Sequence, residues 1–253
     1  MQPSASPAVR RRVLAALRKS DIFFRYLTQS SAYFVLILLT AIFASLLIGG
    51  YLAFKTFGFN FLTTEVWNPV TEQFGALAPI YGTIVTSAIA MLIAVPISIG
   101  IAVFLTELCP MPLRRPIGIA IELLAGVPSI IFGIWGLFFF APFLQKYVQP
   151  ELIAAFKNVP LLDKLFAGPP YGIGILTSAL ILAMMVLPFV TAVCRDVFET
   201  VPTVLKEAAY GMGWTTREVV KNVVIPYTRV GIIGGVMLGL GRALGETMAV
   251  TFV

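Results

Sequence analysis

The sequence contains no histidine, which removes several classes of catalytic and metal site at once. A Ser-His-Asp triad, an H-E-x-x-H zinc site and an imidazole proton relay each need at least one imidazole. Only two cysteines are present, Cys109 and Cys194. Both are predicted at cytoplasmic ends of membrane spans, where thiols stay reduced, so a disulfide is not expected. Neither has neighbours that suggest a metal site or an activated nucleophile.

Charge is also scarce. Charged residues make up 12% of the chain and hydrophobic residues 58%, whereas a typical soluble domain carries about 25% charged residues. Apolar runs of about 20 residues recur, which is the length that an α-helix needs to cross the hydrocarbon core. The short alternating segments typical of a β-barrel are not found. The sequence therefore predicts an all-α, polytopic transmembrane helical bundle.

Five spans at least are predicted, and they divide the chain into four parts. These parts are a basic N-terminal segment, 1–30, which is either an interfacial helix or a plain basic anchor; spans one to four within 31–194, with outer loops 58–75 and 145–170; a polar loop, 195–229; and the fifth span, 230–253. The third of these spans is expected over 117–144. Lys and Arg number thirteen on one side of this arrangement and three on the other. The positive-inside rule therefore puts the N-terminus and the 195–229 loop in the cytoplasm, and it favours a membrane anchor over a nucleic-acid tail.

The 195–229 loop is expected to contain two short helices. Pro202 suits the first turn of one helix, which ends near Gly211 or Gly213. Thr215 and Glu218 have the spacing of a capping box that opens the second helix, which Pro226 is expected to end. The residues alone are equally consistent with a connector between two spans and with a docking surface for another protein.

The stretch EAAYGMGWTTREVVKNVVIP within this loop resembles the EAA loop of ABC-importer permeases. The matching positions are Glu207, Ala208, Ala209, Gly213, Val223, Ile225 and Pro226; Val223 stands where Ile is usual, and Ile225 where Leu is usual. The resemblance implies the type I ABC importer permease fold and a coupling helix that docks on a separate ATP-binding subunit. The sequence has no G-x-x-x-x-G-K-[ST] loop, so ATP and Mg would be bound by a partner chain. Neither a cofactor nor enzyme activity is expected here.

Arg242 and Glu246 lie four residues apart in the predicted fifth span. With Arg229 at the cytoplasmic edge, a rise of about 1.5 Å per residue places Arg242 roughly 20 Å into the bilayer. Charges there are costly, and a guanidinium offers paired donors that match phosphate oxygens. Two interpretations follow. Glu246 holds Arg242 until an anion competes for it, or the pair only neutralises itself and fixes helix packing.

The stretches LGRALGETMAV and GVPSIIFGIWGLF resemble the permeases of bacterial phosphate importers, and within them the PstC-type subunit. The similarity extends over roughly residues 81–253. It implies that the chain carries inorganic phosphate across the bacterial cytoplasmic membrane, and that Arg242 and Glu246 act in its passage. The implied partners are a PstA-type permease, two ATP-binding subunits and an extracytoplasmic phosphate-binding protein. The alternatives are a permease of the same fold for another oxyanion or small solute and, less in keeping with the sequence, a secondary transporter or an intramembrane enzyme.

Small and hydroxyl-bearing residues give two further expectations. Gly231, Gly235 and Gly239 repeat every four residues, which predicts close packing against the partner permease. Hydroxyls in the spans are potential donors to phosphate, although such side chains more often bond to their own helix backbone. They are Thr83, Thr86, Ser87, Ser129, Thr177 and Ser178.

Overall fold

A computed structural model of the chain describes residues 7–156 and 169–253, with side chains described for 21–155 and 169–253. The α-helices in these ranges are α1 Pro7–Phe57, α2 Leu77–Val103, α3 Met111–Ala125, α4 Ser129–Trp135, α5 Ala141–Phe143, α6 Gln149–Phe156, α7 Ile175–Glu199, α8 Thr203–Gly211, α9 Thr216–Val219, α10 Ile225–Leu244 and α11 Met248–Thr251. A 3-10 helix, Gly58–Leu62, and the strands β1 Trp67–Asn68 and β2 Gln73–Phe74 follow α1. The predicted all-α class is confirmed.

Five helical segments are long and apolar enough to cross a membrane, which confirms the predicted minimum of five spans. They are Asp21–Leu62, Leu77–Leu108, Ser129–Ala155, Ile175–Glu199 and Thr216–Leu244. The first belongs to a compact unit of residues 1–77, and the other four belong to a second unit, residues 78–253, apart from Leu77 itself. In the first unit, α1 runs without a break from Pro7 to Phe57, so its backbone does not separate the basic segment from the span.

The third span begins later than predicted. Its expected start at residue 117 falls within α3, which ends at Ala125, and a new helix begins at Ser129. Pro128 is responsible, because proline disfavours helical geometry in the residue before it and cannot donate to the preceding turn. Helix then continues to Phe156, so the first part of the predicted outer loop 145–170 is helical, and residues 157–168 lie outside the described range.

Pro226 does not end its helix, contrary to the prediction, because a π turn precedes it. The π turn Val220–Val224 lets the Ile225 amide donate to the Val220 carbonyl, and α10 follows directly. The same arrangement occurs at Pro142 and Pro150, each two residues after a π turn, whereas at Pro110 the helix ends after the π turn Phe104–Leu108. A π turn widens the helix and satisfies backbone groups that proline would leave unpaired. The helical segment that contains the predicted fifth span therefore starts at Thr216, before Val230.

The core of the second unit forms around α7, which packs against α3 and α10. The predicted glycine ridge of α10 faces α7 of the same chain, so the expectation that it faces a partner permease is wrong. A Cβ atom would lie 2.5 Å from Val197 at Gly231, 3.0 Å from Val193 at Gly235 and 2.5 Å from Val190 at Gly239. The glycines therefore let α10 and α7 approach closely.

Candidate functional site

A helix break separates Arg242 from Glu246. Helix α10 ends at Leu244, the Gly245 amide donates to the Gly241 carbonyl, and α11 begins only at Met248. The predicted continuous span over 230–253 is therefore wrong at its outer end. Glu246 lies in the break, where its Oε1 atom accepts a hydrogen bond of 3.1 Å from the Ala249 amide. The Glu246 side chain caps the short helix α11 and does not lie one turn above Arg242.

Arg242 is half-buried, and its guanidinium carbon lies 5.5 Å from the centroid of the Phe189 ring on α7. The described side chains form four ion pairs, and Arg242–Glu246 is not among them. The resting pair that the sequence suggested is thus absent from this conformation. A cation–π contact of this kind contributes about 0.5–2 kcal/mol.

A cavity of about 380 Å³ lies beside Glu246 in the second unit. It is lined by Pro79, Gly82, Thr83, Thr86, Ser87, Gly174, Ile175, Ser178, Leu182, Ala243, Glu246 and Val250. Four of these side chains are hydroxyls that the sequence singled out, and Arg242 is not a lining residue. We call this space the Glu246 cavity.

Two of the four hydroxyls are available to a ligand. Thr83 and Thr86 donate to carbonyls of their own helix, at Pro79 and Gly82. Ser87 and Ser178 are only 2% and 5% exposed, and both line the cavity. A hydroxyl that lines the cavity can donate a hydrogen bond to an oxygen atom of a solute there. Thr177 instead donates to the Gly172 carbonyl, and neither it nor Ser129 lines this cavity.

Both helices of the 195–229 loop begin where the sequence predicted, and the first also ends there. Helix α8 starts after Pro202 and ends at Gly211. Gly213 has a φ of 86°, the left-handed conformation that glycine adopts most easily. The predicted capping box is confirmed: Thr215 accepts from the Glu218 amide, and the Glu218 carboxylate accepts from the Thr215 amide. Local hydrogen bonds therefore shape this turn.

The EAA-like residues divide between the inside and the outside of the chain. Glu207 and Ala208 are exposed, whereas Ala209 is 2% exposed and packs in the core. Val223 is half-buried against that same core. Ile225 is 36% exposed, and Pro226 is also exposed. Glu207 and Ala208, on the exposed surface of α8, are therefore available to another protein.

Ion pairs that sequence reasoning missed join distant segments near this loop. Lys206 Nζ lies 2.5 Å from Glu107 Oε1, and Arg195 lies 2.7 Å from Glu122 and also contacts Asp196. Arg114 of α3 and Glu199 of α7 form a further pair, at 3.1 Å. Lys206 and Glu107 are 99 residues apart in sequence, so spacing carried no signal of this contact.

Comparison with known proteins identifies the family. The family described as "Binding-protein-dependent transport system inner membrane component" matches residues 98–253. A protein of Mesorhizobium japonicum named phosphate transport system permease protein PstC is 66% identical over 252 residues, covering 98% of this chain and 77% of that protein. A Pasteurella multocida protein of the same name is 58% identical over 233 residues, covering 92% and 73%.

Among solved structures, a chain of the inward-facing MetNI methionine ABC transporter matches with a TM-score of 0.46 and 19% identity, covering 68% of each chain. The five apolar helices and the family match together establish a multi-pass membrane permease, which is a transport subunit and not an enzyme. The chain therefore belongs to the family of inner membrane components of binding-protein-dependent transport systems, and proteins named PstC are its relatives.

Proposed function

We propose that this chain is the permease subunit of an ATP-driven importer of inorganic phosphate. The observation that carries the proposal is its 66% identity, over 98% of its length, to a protein named phosphate transport system permease PstC. The Glu246 cavity supports it, because the hydroxyls that line the cavity can donate to phosphate oxygens. The N-terminus and the 195–229 loop would lie in the cytoplasm, where positively charged segments are favoured.

The partners would be two ATP-binding subunits, a PstA-type second permease and an extracytoplasmic phosphate-binding protein. The ATP-binding subunits would bind ATP and Mg. Helix α8 would be the coupling helix, because it exposes apolar side chains beside the charged Glu207. Val204 is 70% exposed, and Met212, just after the helix, is 67% exposed. Exposed apolar side chains within a polar rim are typical of protein-binding surfaces.

Arg242 and Glu246 would act on phosphate from either side of the Gly245 break. Arg242 rests on the Phe189 ring, so an anion competes with a weak cation–π contact and need not open an ion pair. Glu246 adds a negative charge to a cavity of hydroxyls. That charge weakens anion binding and so favours release, and its carboxylate accepts a hydrogen bond from a protonated phosphate oxygen. A permease site needs such weak binding, since a tight site would retain its substrate.

The test is uptake by proteoliposomes that contain the complete complex. With ATP inside and the phosphate-loaded binding protein outside, radiolabelled inorganic phosphate should accumulate, and radiolabelled sulfate with the same binding protein should not. A complex without ATP is the control for leakage. ATP-driven uptake of sulfate or another solute in place of phosphate would contradict the proposal and favour a permease of the same fold for that solute.

A further inference from the structure

We propose that the ion pair between Lys206 and Glu107 transmits the movement of the coupling helix, α8, to the membrane-spanning helices. This inference rests on the proposed function, in which α8 receives the motion of an ATP-binding subunit. Lys206 belongs to α8, and Glu107 belongs to the π turn that ends the second span. Both are therefore positioning residues, distant from the phosphate site.

The charged atoms of the Lys206–Glu107 pair lie close together, and both side chains are largely buried. The distance between Lys206 Nζ and Glu107 Oε1 is 2.5 Å, with side-chain exposures of 18% and 6%. Water screens a buried pair far less than an exposed one, so the attraction between these charges is strong. The Arg114–Glu199 pair differs, because its side chains are 32% and 51% exposed. Exposed pairs of that kind contribute little.

Helix α8 has few other attachments to its own chain. Of its residues Thr203–Gly211, only Lys206 and Ala209 are not exposed. They lie three residues apart and therefore share one face of the helix. Ala209 contributes a single methyl group to the core, where it is 2% exposed. The described contacts thus leave the Lys206–Glu107 pair as the main polar attachment of this face.

Glu107, the other residue of the ion pair, belongs to the helical segment that lines the Glu246 cavity. Glu107 follows Ser87 by twenty residues in the segment Leu77–Leu108, which corresponds to about 30 Å of helix. Between them, Ser98 donates a 2.9 Å hydrogen bond to the Leu187 carbonyl of α7. A displacement of α8 that pulls on Glu107 therefore reaches both helices that present serine hydroxyls to the Glu246 cavity.

The decisive variant removes both charges together, because either single change leaves a buried charge without its partner. We expect Glu107→Gln/Lys206→Met complexes to co-purify with their partners and to hydrolyse ATP. They should nevertheless transport at least tenfold less radiolabelled phosphate per ATP than the unaltered complex. The Glu199→Gln variant, which breaks the exposed pair, should keep the unaltered ratio. A double variant with an unaltered ratio would overturn the proposal.

A cross-linking experiment decides the matter if the double variant does not assemble. In a background with Cys109→Ser and Cys194→Ser, the variant Glu107→Cys/Lys206→Cys should transport little phosphate per ATP. A short bifunctional thiol reagent should restore the ratio, because a covalent link replaces the ion pair. Ratios that stay low after complete cross-linking would overturn the inference. Absence of phosphate uptake by the unaltered complex would instead refute the proposed function, which the same preparation tests separately.

Discussion

Substitution of Gly239 by alanine tests the packing of α10 on α7 directly. The new Cβ atom would lie 2.5 Å from Cγ2 of Val190, whereas carbon atoms in good contact are about 3.5–4.0 Å apart. The two helices must therefore separate by about 1 Å, or Val190 must leave its rotamer. Val190 is fully buried within the core. Overpacking of this kind costs about 1–3 kcal/mol.

The matched control is Gly234→Ala on the same helix, where a new Cβ atom meets nothing within 4 Å. Alanine gains up to about 1 kcal/mol over glycine in a helix interior, and this gain is common to both variants. The difference between them therefore isolates the close contact. We expect Gly239→Ala to be less stable than Gly234→Ala by about 1–3 kcal/mol.

Thermal unfolding in detergent supplies the measurement, and Cys194 is a natural reporter. Its side chain is fully buried, so in a Cys109→Ser background a thiol-reactive dye should label it only on unfolding. A difference of 1 kcal/mol corresponds to about 2–4 °C in a chain of this size. Equal unfolding midpoints for the two variants would refute the close packing of α10 on α7. They would instead favour the interpretation that the glycine ridge packs against the partner permease.

Two further variants test the cap of the loop helix and the charge of the cavity. Thr215→Ala removes a capping bond and should destabilise the start of α9 by about 0.5–2 kcal/mol. It should therefore lower the rate of ATP hydrolysis stimulated by the binding protein, whereas the control Thr216→Ala should not. Equal hydrolysis rates for the two variants would contradict this. Glu246→Gln keeps an acceptor for the Ala249 amide but removes the negative charge. Phosphate uptake should therefore show both a lower maximal rate and a lower half-saturating concentration, and unchanged kinetics would count against the role of this charge.

The features that sequence predicted well depend on neighbouring residues. The capping box of Thr215 and Glu218 forms within four residues, and a membrane span can be recognised from the length of its own apolar run. The helix break at Pro128 and the π turn before Pro226 show the limit of such local rules. Proline restricts the backbone at both positions, but whether the helix breaks or widens depends on the surrounding packing.

The candidate site was only partly accessible to the same reasoning. Arg242 and Glu246 stood out because charges are rare in an apolar run, but their pairing assumed an unbroken helix, and the turn at Gly245 removes it. The Lys206–Glu107 contact joins segments 99 residues apart, so only the folded chain reveals it. The roles of the EAA-like residues and of Arg242 in transport remain predictions that require the assembled complex.

Phosphate uptake by an Arg242→Ala complex tests the central claim most directly. The control is Arg229→Ala, which removes an exposed arginine near the N-terminal end of the same helix. Both complexes should co-purify with their partners. We predict that uptake of radiolabelled phosphate falls to the ATP-free background in Arg242→Ala and stays near that of the unaltered complex in Arg229→Ala. Unaltered uptake by an assembled Arg242→Ala complex would contradict the claim that this guanidinium takes part in phosphate passage.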